Sequence, residues 1–365
     1  MLKIDFSELK QIININSYTK NKAGVDRVGK IFQEWLEHLG FKTNVYKREE
    51  IGNHLHFVSK KIDGKKLLLL GHLDTVFPPN SFEEFKEDKE WIYGPGVCDM
   101  KGGNYVALLA LREIFKKFGK IENIDFLLVS DEETGSDDSK YITSDIAKSY
   151  DYCLVYEAAG KENEVVVGRK GVGTFFIDIK GKAAHAGNHY ADGIDANLEL
   201  AKKLEKLVAL TNLDEGTTLN VGKIEGGIGA NTISPNAKIT FELRYTNTKE
   251  RDRVLKEVEN IVNSSYVDGT ISTLSGGIQR DVMQPNIEQE EFIKYIEDIT
   301  GQQLLTESRG GVSDANIVAS VGTVTLDGFG PFGDGDHTIK ERANKKSFES
   351  RVELSTKLLS SFIKA

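Results

Sequence analysis

Short apolar runs that end in acids or histidine set the strongest limit on how this chain can fold. Phe126-Leu127-Leu128-Val129 runs almost directly into Asp131-Glu132-Glu133-Thr134-Gly135-Ser136. A run of that length reads as a buried strand, so three carboxylates sit where the strand leaves the core. Adjacent acids repel and resist desolvation, and such a cluster needs either solvent or a strong positive charge. Other segments follow the same plan. Residues 67–70 precede Gly71-His72-Leu73-Asp74, residues 153–156 precede Glu157, and residues 323–326 precede a glycine-rich loop that contains His337. In open parallel sheets, ligands bind at the C-terminal ends of the strands. The repeated placement predicts one cationic centre at that edge.

The first 165 residues or so alternate strands with helices. Val28, Ile31, Phe32, Trp35, Leu36 and Leu39 recur at helical spacing, and Gly40 stands where a C-cap belongs. Gly102-Gly103 open a second helix through Leu108, Leu109, Ile114 and Phe115. This is the pattern of a doubly wound, mostly parallel α/β sheet. From about residue 171 the pattern becomes β-α-β-β-α-β, with strands at 174–180, 217–224, 237–246 and 270–274 and helices at 194–210 and 249–264. That order is the split-βαβ, ferredoxin-like α+β sandwich, and Ile239, Phe241, Leu243 and Tyr245 should share one face of its third strand. After Gly276-Gly277 the α/β pattern resumes, with a helix near 290–300 and a strand at 323–326. The expected division is a larger domain of residues 1–169 and 281–365 interrupted by a smaller one at 170–280.

Composition narrows the function classes. Lys and Arg total 47 against 56 Asp and Glu, a net charge of −9 with both signs mixed along the chain. No basic footprint for nucleic acid is present. Cys98 and Cys153 are far apart and form no paired motif, which argues against a disulfide scaffold or a thiolate-held zinc and predicts a reducing, cytoplasmic home. The N-terminal residues lack the continuous apolar stretch of a secretion signal, and no apolar run approaches the ~18 residues of a membrane span.

The polar residues at the strand ends suggest particular chemistry. His72 and Asp74 are two apart and point the same way from an extended chain, so the carboxylate can hold the imidazole with its other nitrogen free for a metal. Glycines around Asp99 permit a sharp turn that presents it just before a helix. Glu132 and Glu133 are consecutive and diverge, so one can bind metal while the other faces a substrate water. Two histidines and three carboxylates could hold two divalent ions if one carboxylate bridges. Nitrogen and oxygen donors without thiolate suit Zn²⁺, with Co²⁺ or Mn²⁺ as plausible substitutes. Water held by such an ion has a pKa of about 7, and a glutamate outside the ligand set would then remove its proton.

GHLDT, GVCDMKGG, DEETGS, the later Glu157 and GDGDHT occur in the order and spacing of a known family. The chain resembles the co-catalytic di-zinc exopeptidases and aminoacylases: glutamate carboxypeptidase, acetylornithine deacetylase, succinyl-diaminopimelate desuccinylase and peptidase T. It looks most like the glutamate carboxypeptidase branch. The resemblance implies that His72, Asp99 and Glu157 hold one zinc and Asp99, Glu133 and His337 the other, with Asp99 bridging. It implies that Asp74 orients His72, that Glu132 is the general base, and that the Asp99–Met100 peptide is cis. It also implies that the inserted domain is a lid and dimerisation domain of a homodimer. His185 would then reach the partner subunit's site and stabilise the tetrahedral oxyanion. Asn231, Arg244 and Arg280 resemble contacts to a substrate carboxylate, and Gly311 and Ser313 belong to a segment like the family's glycine-rich substrate loop. His38, His54 and His56 match nothing and are expected at the surface. Pro95 stands where the family often has Arg, and residues 158–164 do not reproduce the lysine-bearing loop of glutamate-selective members. The activity implied is hydrolysis of an amide bond beside a free carboxylate, in small peptides or N-acyl amino acids. A biosynthetic deacylase is the alternative, and a non-catalytic ligand-binding relative the remote one.

Overall fold

The computed structural model describes residues 4–363. The chain forms two compact units, Met1–Gly168 with Pro285–Arg309 and Ser313–Ala365, and Arg169–Gln284 with Gly310–Val312.

A six-stranded sheet organises the first unit. Lys42–Tyr46, His54–Val58, Ile124–Val129, Leu67–His72, Tyr152–Val155 and Val324–Leu326 lie side by side in that order. Leu67–His72 pairs parallel with both neighbours, and Val324–Leu326 runs parallel to Tyr152–Val155. The first two strands are antiparallel additions at one edge. Every residue of Leu67–His72 and of Ile124–Val129 is buried. A strand covered on both faces has no use for alternation, which is why the sequence shows continuous apolar runs there.

Helix ends are fixed by local chemistry. Helix Lys22–Glu37 starts at Asn21, whose side chain accepts the Gly24 N–H. After it, Gly40 adopts φ 87° while its N–H and that of Phe41 donate to the carbonyls of Glu37 and Leu36. This is a Schellman stop, at the glycine the pattern pointed to. Helix Lys101–Phe118 follows the Asp99–Met100 peptide, which is cis. A Cβ at Gly103 would lie 1.8 Å from the Tyr156 carbonyl oxygen, so glycine there lets the helix sit directly on the chain before Glu157.

The second unit is built as the β-α-β-β-α-β pattern requires. Its antiparallel sheet has the order Thr218–Gly226, Asn236–Tyr245, Gly171–Lys180, Ile271–Arg280. Ile239, Phe241, Leu243 and Tyr245 are all buried on one face, against helices Ala196–Val208 and Thr248–Asn263. Lys203 is buried between those helices, where its ammonium donates to the carbonyls of Ile261, Val262 and Ser264 and meets Glu199 at 3.0 Å.

Two expectations need correction. The last strand does not stop at residue 274 but continues through both glycines to Arg280. Gly276 takes φ 88° within it, and a Cβ there would meet the Thr174 carbonyl oxygen at 2.3 Å. Gly276 therefore marks close backbone approach inside a strand, whereas a Cβ at Gly277 would meet nothing within 4 Å. His54 and His56 are buried, at 0% and 8% exposure. His54 meets Asp138 at 3.0 Å and its Nδ1 accepts the Ser130 N–H, while His56 lies 3.2 Å from the Tyr150 hydroxyl. Partners distant in sequence satisfy both rings, and no local pattern reveals such pairs. His38 is exposed, as expected.

Candidate metal centre

Three parallel strands end together, and the residues just beyond them converge. His72 closes Leu67–His72 and is 1% exposed. Its Nδ1 faces Asp74, 3.3 Å from Oδ1 and 3.1 Å from the main-chain carbonyl, and its Nε2 points into the site. There it lies 3.1 Å from Asp99 Oδ1 and 3.7 Å from Glu157 Oε1. The other Asp99 oxygen, Oδ2, is 3.1 Å from His337 Nε2, which is also 3.1 Å from Glu133 Oε2. Donor atoms of His72, Asp99 and Glu157 all lie within 4.8 Å of one another, as do those of Asp99, Glu133 and His337. Asp99 belongs to both groups.

Supporting contacts are dense. Asp74 Oδ2 accepts from the Thr19 hydroxyl at 2.7 Å and from the Glu133 N–H at 3.3 Å, so one carboxylate restrains His72 and the acidic turn together. The Asn104 side chain donates to the His72 carbonyl at 2.7 Å. Lys101, wholly buried, donates to the carbonyls of Ile12 and Ile15, and burial pushes its pKa down to about 7.

The opening acidic cluster separates by role. Asp131 Oδ2 accepts the N–H groups of Asp138 and Ser139 at the start of helix Ser139–Ala147, a helix-capping duty. Glu133 joins a donor group. Glu132 belongs to neither group, although it adjoins Glu133 in the same turn.

Electrostatics show what the site requires. Burial and the neighbouring Asp99 charge push Glu133 up to about 8, and the same two causes raise Glu157 well above the carboxylate range. Hydrogen bonds to Asp99 and Glu133 raise His337 to about 11. Carboxylates crowded this way hold protons until a stronger positive charge replaces them. A donor set of two imidazoles and three carboxylates fits a pair of divalent ions. Cation binding must displace those protons, so affinity rises with pH.

The second unit carries the remaining candidates. His185 and Asn231 are neighbours there, through a bridge between His185 and Thr232 and a 2.9 Å hydrogen bond from the Ala186 N–H to the Asn231 carbonyl. His185 Nδ1 accepts the N–H groups of Gly187 and Asn188 at 3.1 and 3.2 Å. Arg244 is paired along its own strand with Glu242, at 2.7 and 3.2 Å, and donates to the Gly310 carbonyl. Arg280 ends its strand within the second unit and is 4% exposed. The Gly311 carbonyl accepts from Arg169. Ser313, in the first unit, is buried. Its hydroxyl accepts the Ala315 N–H to cap helix Asp314–Ser320 and donates to Asp327 at 2.8 Å, so that group is committed to structure.

Sequence reasoning passed over Glu341. Its carboxylate is wholly buried and accepts three backbone N–H groups from the loop that presents Asp99. Only its place four residues beyond His337 hinted at it.

The model of peptidase family M20/M25/M40 matches residues 68–361, spanning every donor in this centre. The chain belongs to that family. It is similar to carboxypeptidase G2 of Pseudomonas sp. (strain RS-16), 26% identical over 364 residues that cover 96% of this chain and 87% of the relative. Succinyl-diaminopimelate desuccinylase of Rickettsia akari (strain Hartford) is 27% identical, over 91% of this chain and 93% of the relative. Among solved structures, aminopeptidase PepT from Bacillus cereus ATCC 10987 superposes with a TM-score of 0.81 at 21% identity, covering 98% of this chain and 97% of that one. The M20 protein described here is a metallopeptidase-family hydrolase of amide bonds. No helix among its described residues is long and apolar enough to cross a membrane.

Proposed function

We propose that this M20 protein uses two zinc ions to hydrolyse an amide bond beside a free carboxylate, as a carboxypeptidase on small peptides or N-acyl amino acids. The observation that carries the reading is Asp99 shared between two donor groups, with Glu132, the residue before Glu133 in the same turn, in neither. When bound, such a metal pair polarises a carbonyl and makes water acidic. Glu132 takes the proton from the attacking water and passes it to the leaving amine. Asp74 fixes the His72 ring, as their 3.3 Å contact supports.

His185 has the right protonation pattern for an oxyanion donor. Because its Nδ1 accepts two N–H groups, the neutral ring carries its proton on Nε2. That outward N–H suits developing negative charge. Thr218–Gly226 is an edge strand with Ile224 54% exposed, and Ile228 just beyond it is 70% exposed, which supports a homodimer formed through this unit. If His185 acts across that dimer, mixing a His185→Ala protein with a Glu132→Gln protein restores part of the activity, up to about a quarter of wild type for statistical hybrids with one intact site in two. Subunit exchange without recovery would refute the trans role. Buried, unpaired Cys98 and Cys153 support a cytoplasmic home.

Substrate preference rests on relatives and on Asn231. Arg244 already commits three of its five N–H groups to Glu242 and Gly310, which makes it the weaker candidate. A desuccinylase is the second reading, favoured by the similarity to the Rickettsia enzyme. A hydrolysis screen of dipeptides, N-acyl amino acids and N-succinyl-diaminopimelate, with Zn²⁺, Co²⁺ or Mn²⁺ supplied, decides between them. Turnover of carboxylate-ended substrates and loss of turnover with their C-terminal amides support the proposal. Equal rates on acids and amides would refute it.

A further inference from the structure

We infer that Glu341 is a positioning residue of the metal centre, holding the loop that presents Asp99. The inference rests on the metal reading of that site. The loop of residues 94–99 bends sharply, with φ 149° at Gly94 and 82° at Gly96, a region that favours glycine. So bent, the loop turns its N–H groups inward, and three end on one side chain. The Gly96 N–H donates to Glu341 Oε2 at 3.0 Å, while those of Cys98 and Asp99 donate to Oε1 at 3.0 and 3.2 Å. The Gly94 N–H donates to the Glu341 main-chain carbonyl at 3.3 Å.

Glu341 is 0% exposed, so bulk solvent does not reach its carboxylate. A carboxylate meets the demand because both its oxygens are acceptors with several lone-pair sites. Glutamine does not. Its NH₂ would face either the Gly96 N–H or the pair from Cys98 and Asp99, donor against donor. The loop would have to shift, and the Asp99 carboxylate would shift with it.

Glu341 also belongs to the turn that carries His337. That turn is closed by the Thr338 N–H donating to Gly335 and the Glu341 N–H donating to Thr338, at 3.0 and 3.1 Å. One residue thus ties together the segments that supply Asp99, common to both donor groups, and His337. A buried acid kept for stability alone would have no particular effect on metal affinity. A positioning residue must weaken both sites at once, because Asp99 serves both.

The experiment measures Zn²⁺ affinity by chelator competition on the full-length, metal-stripped chain, for wild type, Glu341→Gln, Glu341→Asp and a destabilised control. Ile296→Ala serves as the control, since it empties a buried position on helix Ile287–Thr300. Glu341→Gln should weaken both zinc sites by about 10–100-fold, the usual effect of removing a group that orients metal ligands. Glu341→Asp keeps the charge on a shorter arm and should fall between Gln and wild type. The control should lose melting temperature but bind zinc within about twofold of wild type, since mutations at separate sites act independently. Should Glu341→Gln not fold, the comparison of Glu341→Asp with the control carries the test. Wild-type affinity in the Glu341 variants, or an equal loss in the control, overturns the positioning role and leaves the metal reading standing. A wild-type chain that binds no zinc overturns both.

Discussion

Replacing Glu132 by glutamine should lower turnover by about 10²–10⁴-fold, the usual contribution of a general base, while the protein keeps its metal. The expectation follows from where the turn puts consecutive acids. Glu133 lies 3.1 Å from His337 within one donor group, whereas Glu132, one residue earlier in the same turn, is in neither group. Glutamine has nearly the same shape, so no cavity forms and no donor is removed from the metal groups. What disappears is the capacity to accept and return a proton. Glu133→Gln should behave differently, losing metal and activity together. Single-turnover kinetics beside metal analysis separates the two. A Glu132→Gln protein within tenfold of wild-type turnover would leave the mechanism without its base.

The second large effect is expected at Asp99. Asparagine there removes the one charge that both donor groups share, with Oδ1 3.1 Å from His72 and Oδ2 3.1 Å from His337. One cation would meet an amide NH₂ and the other a neutral carbonyl oxygen, in place of the shared charged carboxylate. Loss of affinity should exceed the roughly 10–100-fold typical of a merely supporting group, and should strike both metals. Glu157→Gln, which alters one group, should spare the other site. Equilibrium dialysis with metal quantification checks this. One full-affinity site surviving in Asp99→Asn would show that the carboxylate does not bridge.

Much of this was legible in the chain because burial on both faces leaves a plain mark. Leu67–His72 and Ile124–Val129 read as strands from unbroken apolar runs, and His72, Glu133 and Glu157 read as edge residues because they follow such runs. The alternation from Ile239 to Tyr245 marked a sheet with one covered face for the same reason. Three features escaped. Gly276-Gly277 looked like a boundary, since glycine usually punctuates, but the strand runs through both and Gly276 is needed for close passage past Thr174. His54 and His56 looked like surface residues, because the carboxylate and hydroxyl that satisfy them come from Asp138 and Tyr150, far along the chain. Glu341 left no pattern of its own. Its function is to accept N–H groups from a loop some 240 residues earlier, and backbone donors carry no side-chain signature.

The most direct measurement is a calorimetric titration of the metal-stripped chain with Zn²⁺, run beside hydrolysis of its best substrate. Two equivalents should bind per chain, more tightly as pH rises through the range where Glu133, near 8, gives up its proton. Activity should track occupancy and vanish with a chelator. Saturation at one equivalent, or full activity in the chelator's presence, would contradict a two-metal centre joined by Asp99.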